Sequence, residues 1–268
     1  MRRPWDVALY TLAMPAIFAN AMTGQTGAWI AALFAGGLMA VERRPIAGGA
    51  ILGLLIAKPQ MAILVPVALL SGRQWTAFVS FCSVAFLLIG ASAACFGANV
   101  WWEFARQVAL LRSYVLEDGT GFWHLFTSVF VTVRHIPAPV SLAYAVQGAV
   151  AVIVSGLVIS AWRSSAPQNN KNAVLVIGVF LVTPYVMVYD LVVTTLVPLW
   201  LVANLPAGDG WRRACLFAFV PLILSPLVTP AFAQVTGFGI GCLLLVPAFG
   251  LAVHFCARGA RAASECPR

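Results

Sequence analysis

Long uncharged stretches, separated by single charges or charge pairs, dominate this chain. Asp6 to Glu42 encloses 35 residues without Asp, Glu, Lys or Arg, Arg73 to Glu103 encloses 29, and Arg134 to Arg163 encloses 28. Lys171 to Asp190 and Asp190 to Asp209 enclose 18 each, and Arg213 to Arg258 encloses 44. A helix crosses bilayer hydrocarbon with roughly 20 apolar residues, so the two longest runs must each be divided. The first is interrupted at Asn20–Gly27 (N-A-M-T-G-Q-T-G) and the second between Pro226 and Gln234, and clusters of this kind punctuate helices. The pattern predicts eight spans, starting near residues 7, 27, 75, 138, 173, 190, 213 and 235.

Residues 45–72 do not fit that series. They are apolar apart from Lys58, in a K-P-Q sequence at their middle, and each half is short for a crossing. Proline removes a backbone donor and breaks a helix. Cytoplasmic loops are enriched in Lys and Arg. Placing Arg2, Arg3, Arg43, Arg44, Arg73, Arg163, Lys171, Arg212, Arg213, Arg258, Arg261 and Arg268 in the cytoplasm accounts for 12 of the 16 basic residues. The spans alternate correctly through all of them if 45–72 is a re-entrant pair of half-helices with Lys58, Pro59 and Gln60 at its apex. Irregular backbone at that depth requires cover from protein or a water-filled cavity. A single crossing with a proline kink is the rival, and it would put Arg73 outside. The expected architecture is an all-α, polytopic membrane bundle of about eight spans plus one re-entrant broken-helix pair. Residues 1–256 form one transmembrane domain, 100–136 an extracytoplasmic segment and 257–268 a cytoplasmic tail. Within 100–136, Trp101, Phe104, Val108, Leu111 and Val115 recur at helical spacing, which predicts an amphipathic interfacial helix.

Composition agrees: 62% of residues are hydrophobic, 9% are charged, and the mean hydropathy is +0.94. Soluble domains carry about 25% charged residues. The net charge of +8 is dispersed between apolar runs rather than gathered on one wet face, which excludes a nucleic-acid footprint. Cys82, Cys95, Cys215, Cys242, Cys256 and Cys266 form no C-x-x-C pair and read as small core residues. His124, His135 and His254 are too scattered for a metal site, and no nucleotide-binding loop is present. No cofactor is expected.

Ionisable groups inside a membrane are functional candidates, and two stand out. Lys58 sits in mid-run and Asp190 sits between two apolar runs. The topology places Gln25, Lys58, Gln60, Tyr185, Tyr189 and Asp190 around one polar pocket in the outer half of the bilayer. A buried ammonium suits a phosphate, and the carboxylate would orient it, position a sugar hydroxyl or accept a proton. The bland alternatives are a structural Lys58–Asp190 ion pair, backbone capping by Gln25 and Gln60, and interfacial anchoring by the two tyrosines.

The runs A-I-F-A-N-A-M-T-G-Q-T-G at 16–27, R-R-P-I-A-G-G-A-I-L-G-L-L-I-A-K-P-Q at 43–60 and T-P-Y-V-M-V-Y-D-L at 183–191 together resemble glycosyltransferase family 87. The third is similar to that family's S-P-H-x-x-x-Y-D motif. The resemblance implies a C-type enzyme of the cell membrane, bacterial inner membrane in type, that moves a sugar, often mannose, from a polyprenyl-phosphate donor to a lipid or glycan acceptor on the extracytoplasmic face. It carries Gln25, Lys58, Gln60 and Tyr189 over as donor-phosphate or substrate residues and Asp190 and Tyr185 as catalytic ones. Two departures stand beside it. The family's usual acidic base, on an outer loop after a further N-terminal span, has no counterpart, and Asp6 falls on the cytoplasmic side. Tyr185 also replaces the motif histidine, and a phenol of pKa about 10 does not shuttle protons as imidazole does. The expectation is a partial copy of the domain, with a transporter or a non-catalytic membrane scaffold as the other function classes.

Overall fold

The computed structural model describes residues 13–203, 205 and 209–265, and among them the regular structure is helical with no strand. The expected first span from residue 7 lies partly outside these residues. Arg2, Arg3, Asp6, Cys266 and Arg268 lie wholly outside them.

The helices are α1 (Pro15–Met22), α2 (Gly27–Ala40), α3 (Pro45–Gly53), α4 (Pro59–Ala62), α5 (Val65–Ser71), α6 (Trp75–Phe96) and α7 (Asn99–Leu111). They continue as α8 (Val129–His135), α9 (Val140–Arg163), α10 (Gln168–Val182), α11 (Leu196–Ala203), α12 (Gly210–Thr236) and α13 (Gly241–Glu265). A 3-10 segment, Leu54–Ala57, extends α3, and another, Val188–Thr195, leads into α11.

Among the described residues four helices are long and apolar enough to cross a membrane: Trp75–Phe96, Val140–Arg163, Gly210–Thr236 and Gly241–Ser264. The eight expected spans are therefore not established. Gly27–Ala40 and Val188–Ala203 are apolar but shorter, because Gly27 and the extended backbone at Met187 fix where each can begin. The lipid-facing habit is plain in α6, which buries only Ala77, Phe81 and Ala85, one stripe at four-residue spacing, and exposes Val79, Phe86 and Leu87. By contrast α10 is buried nearly all round, from Asn172 to Leu181, as a helix without a polar face must be.

The expected break between Pro226 and Gln234 is not where the chain turns. Helix α12 runs through Pro221, Pro226 and Pro230 and ends at Gly237, in the left-handed conformation at φ 70°. Pro226 has no N–H for the Leu222 carbonyl, and the Ser225 hydroxyl donates to that carbonyl instead at 2.7 Å. Side-chain donors of this kind let proline persist inside membrane helices. The last helix also continues past residue 256 to Glu265, so the expected tail is helical as far as it is described.

Residues 45–72 go out and come back. The Ser80 hydroxyl donates to the Ile46 carbonyl at 2.7 Å, Gly49 packs on the Ala77 backbone, and Gly53 packs on Phe81 and Val84. This arm therefore climbs beside α6 in the same direction. It breaks at Lys58, and α5 returns to set Gly72 against Trp162, near the end of α9. Nine of the thirteen described basic residues (Arg43, Arg44, Arg73, Arg163, Lys171, Arg212, Arg213, Arg258 and Arg261) lie toward the end where both arms finish. We call this the basic end. Arg106, Arg112 and Arg134 lie at the opposite end.

At that opposite end Gln147, 5% exposed, ties three segments together. Its amide nitrogen donates to Leu181 and Val182 carbonyls at 2.8 and 3.0 Å, and its oxygen accepts from the Phe130 N–H at 3.0 Å. Replacement by leucine strands these backbone groups in a dry site. Gln147→Leu is expected to cost about 1–3 kcal/mol, visible as a lower melting temperature in a thermal-shift assay.

Candidate active site

The K-P-Q turn owes its shape to Pro59. The residue before proline is pushed from helical to extended backbone, and Lys58 adopts φ −135°, ψ 76°. Proline then opens α4, where its missing N–H costs nothing. Lys58 sits between two helical ends, and its side chain leaves the axis of both.

Its partner comes from a segment that is also irregular. Residues 183–187 are non-helical, with extended backbone at Thr183 and Met187; Met187 forms a bridge with Phe126, and the Thr127 N–H donates to the Val186 carbonyl at 3.0 Å. The 3-10 turn that follows is capped by Asp190, whose Oδ2 accepts from the Met187 N–H at 3.3 Å. The other oxygen, Oδ1, is ion-paired with Lys58 Nζ. Side-chain exposure is 13% for Lys58 and 3% for Asp190, so the pair is shielded from water, with the ammonium the more accessible partner. Lys58 Nζ also lies 5.2 Å from the Tyr189 ring centroid, and the Tyr189 hydroxyl donates to Met187 Sδ at 2.8 Å.

A cavity of about 430 Å³ opens on the Lys58 side of the pair, lined by Lys58, Gln60, Tyr185 and the α7 residues Phe104, Val108 and Leu111. A neighbouring cavity of about 310 Å³ shares Ala57, Pro59 and Phe104 with it and adds Ile56, Ile89 and Trp101. The stripe expected on 100–136 thus faces the K-P-Q turn through Trp101, Phe104, Val108 and Leu111. Val115 departs from the stripe because the chain widens into a π turn over Arg112–Glu117, which shifts the helical register, and it packs instead near Leu116 and Phe130.

The residues singled out from sequence fall into two groups. Lys58, Gln60, Tyr185, Tyr189 and Asp190 gather around the turn. Gln25 is exposed on the loop between α1 and α2. That loop is held by Asn20, a buried residue the sequence reading passed over as punctuation. Its amide, in the orientation that satisfies both ends, donates to the Gln25 carbonyl at 2.7 Å and accepts from the Gly27 N–H at 2.9 Å. Gly27 in turn lies so close to the Tyr189 carbonyl that a Cβ there would stand 2.8 Å from it. An asparagine within an apolar run was the available signal, since a buried amide must find partners.

His124 and His135 lie away from the Lys58 cavity and line a separate one with Asp118 and Arg134. Burial holds the His135 imidazole below its ordinary range, and its Nδ1 meets the Val131 carbonyl at 2.8 Å.

The sequence profile of glycosyltransferase family 87 matches residues 2–184. The chain belongs to glycosyltransferase family 87. No curated protein and no solved structure matches it. The family 87 match takes in Gln25, the K-P-Q turn and the whole of α7. It ends one residue before Tyr185, so the likeness of T-P-Y-V-M-V-Y-D-L to the family motif rests on those residues themselves. Family 87 membership makes the chain a membrane glycosyltransferase by class.

Proposed function

We propose that this family 87 protein transfers a hexosyl group, mannosyl in the first instance, from a polyprenyl-phosphate donor to a lipid or glycan acceptor at the end opposite the basic one, in the cell membrane. The excess of Lys and Arg at the basic end supports a cytoplasmic position for that end by the positive-inside rule, and with it a Lys58 cavity that opens toward the extracytoplasmic leaflet. The observation that carries the reading is a largely desolvated ammonium at the head of a trough that is otherwise apolar along α7. Such a site suits a phosphate joined to a long hydrocarbon chain, with the phosphate on Lys58 and the chain along Phe104, Val108 and Trp101.

The chemistry follows from charge. Transfer makes a bond from the acceptor oxygen to the anomeric carbon and breaks the bond from that carbon to phosphate oxygen, and the acceptor's proton passes to the departing phosphate or to water. The leaving phosphate gains negative charge, and a preorganised cation at that place lowers the barrier. Both Asp190 oxygens are engaged, one by Lys58 and one by the Met187 N–H. Of the roles open to this carboxylate, orienting Lys58 is therefore the one we assign it. Tyr185 stands on the cavity wall, where its hydroxyl can hold a sugar hydroxyl or the phosphate; Gln60 lines the same wall.

The test is transfer of radiolabel from polyprenyl-phosphate mannose to candidate acceptors by the purified chain in liposomes. Label is expected in the acceptor, and Tyr185→Phe is expected to slow transfer about tenfold, the rate equivalent of one lost hydrogen bond. Absence of transfer, with solute counterflow in the same liposomes, would move the protein to the transporter class, where broken helices around buried charges also occur.

A further inference from the structure

The basic end holds a further cavity, of about 750 Å³, far from Lys58 along the bundle. Its lining includes Ser71, Arg73, Trp75, Arg163, Ser164 and Lys171, and no carboxylate. Three cations from three different segments therefore converge on one space: the turn after α5, the end of α9 and the first turn of α10. Among the described residues none of the three forms an ion pair with an acid. The segments are locked together by neutral contacts. The buried Trp162 donates from Nε1 to the Lys171 carbonyl at 3.2 Å, and the C-terminal turn of α9 is closed by the Ser164 hydroxyl donating to the Ala161 carbonyl at 2.7 Å. Like charges held in a shared concavity repel one another unless an anion enters.

Backbone strain points to the same place. Arg73 is the one non-glycine residue with positive φ among those described, at 56°. Helix α5 ends in a Schellman arrangement, with Arg73 N–H on the Leu70 carbonyl at 3.1 Å and Gln74 N–H on the Leu69 carbonyl at 2.8 Å. The left-handed position of that motif normally carries glycine. Here glycine stands one residue earlier, because a Cβ on Gly72 would lie 2.9 Å from Trp162 Cε3. An arginine is left in a conformation unfavourable to any residue with a Cβ, and its side chain lines the cavity. Strain of this kind concentrates at ligand-binding positions.

We propose that Arg73, Arg163 and Lys171 form a phosphate-binding site at the basic end of the molecule, whose occupant is the headgroup of an anionic phospholipid. Trp75, exposed at the start of α6, is the interfacial aromatic that would flank such a headgroup. The site is separate from the Lys58 cavity and does not rest on the glycosyltransferase chemistry.

The experiment measures binding of phosphatidylglycerol and of phosphatidylcholine to the full chain in neutral detergent by native mass spectrometry. It is paired with melting temperatures in nanodiscs of phosphatidylcholine alone, of phosphatidylcholine with phosphatidylglycerol, and of phosphatidylcholine with inorganic phosphate at matched ionic strength. Phosphatidylglycerol is expected to bind preferentially and to raise the melting temperature. Arg163→Gln and Lys171→Gln are each expected to weaken it roughly fivefold, the usual contribution of one cation at a membrane surface. Arg261→Gln, at the same end but outside the cavity, should leave binding unchanged. Arg73→Gly is the sharpest variant: relief of the left-handed strain should raise stability in phosphatidylcholine while the preference for phosphatidylglycerol falls. Stabilisation by inorganic phosphate, with no lipid preference, would keep the site and assign it to a soluble phosphate instead. Equal losses in Arg261→Gln and Arg163→Gln, or full lipid preference in the Arg163→Gln/Lys171→Gln double variant, would overturn it.

Discussion

Lys58→Ala is expected to melt well below the wild type, and below the double variant Lys58→Met/Asp190→Asn, although the double variant alters more of the native site. The single change strips the ammonium from a carboxylate that is 3% exposed, leaving a charge with neither water nor counterion. Breaking a buried pair in this way costs about 3–5 kcal/mol, whereas replacing both members is often close to neutral. Asparagine at 190 keeps an oxygen for the Met187 N–H, so the cap of the Val188–Thr195 turn survives. Binding separates function from fold. Neither variant is expected to retain polyprenyl phosphate, and the loss should be a hundredfold or more if a charge-assisted contact of roughly 3 kcal/mol is removed. Thermal melts and binding of a fluorescent polyprenyl phosphate, run on the same preparations, read the two effects independently. A double variant that binds as the wild type does would remove Lys58 from the donor site.

The second large effect is expected from Gly49→Leu. A Cβ at this position would fall onto the Ala77 carbonyl, and Gly53 is similarly close to the Phe81 carbonyl and Val84. The two glycines, four residues apart, let the α3 backbone lie directly on α6, the close approach that small residues permit in membrane bundles. Leucine at 49 must push the helices apart, and overpacking commonly costs 1–3 kcal/mol, occasionally more. The Lys58 turn rides at the top of this arm, so donor binding should fall with stability. Gly36→Ala is the matched control, since the nearest atom to its added Cβ would be 3.9 Å away. Yield of monodisperse protein after detergent extraction, together with the melting temperature, checks both.

How much of this was readable in the sequence depends on the kind of signal. The lipid-facing helices were legible because charge-free runs such as 74–102 admit few alternatives. The break at Lys58 was legible because Pro59 cannot continue a helix, and Lys58 and Asp190 attracted notice as charges in apolar surroundings. Their direct pairing was one of two readings left open. The turn at Gly237 was misplaced because proline and threonine between 226 and 234 read as punctuation; only the Ser225–Leu222 hydrogen bond shows how α12 absorbs them. Span number is not established by helix length for a related reason: charge spacing measures the distance between loops, not the length of regular helix between them. The role of Asn20 was missed because a single asparagine beside Gly and Thr looks the same whether it bends a chain or clasps one. Arg73 gave no sign at all, since a left-handed arginine follows from where Trp162 packs, on a helix ninety residues away.

Helix α2, which exposes Trp29 and Met39, has 14 residues, which at 1.5 Å of rise is about 21 Å of length. The hydrocarbon of a bilayer is about 30 Å thick. The C-terminal end of α2 stands beside Glu42 at the basic end, so the shortfall opens on the other side, where Gly27 lies against the Tyr189 carbonyl. A bilayer meets such a deficit by thinning locally or by letting headgroups and water sink into a dimple. On the proposed donor reading, a bilayer that thins around α2 would bring the lipid phosphate down toward Lys58, and acyl-chain length would set how readily the two meet.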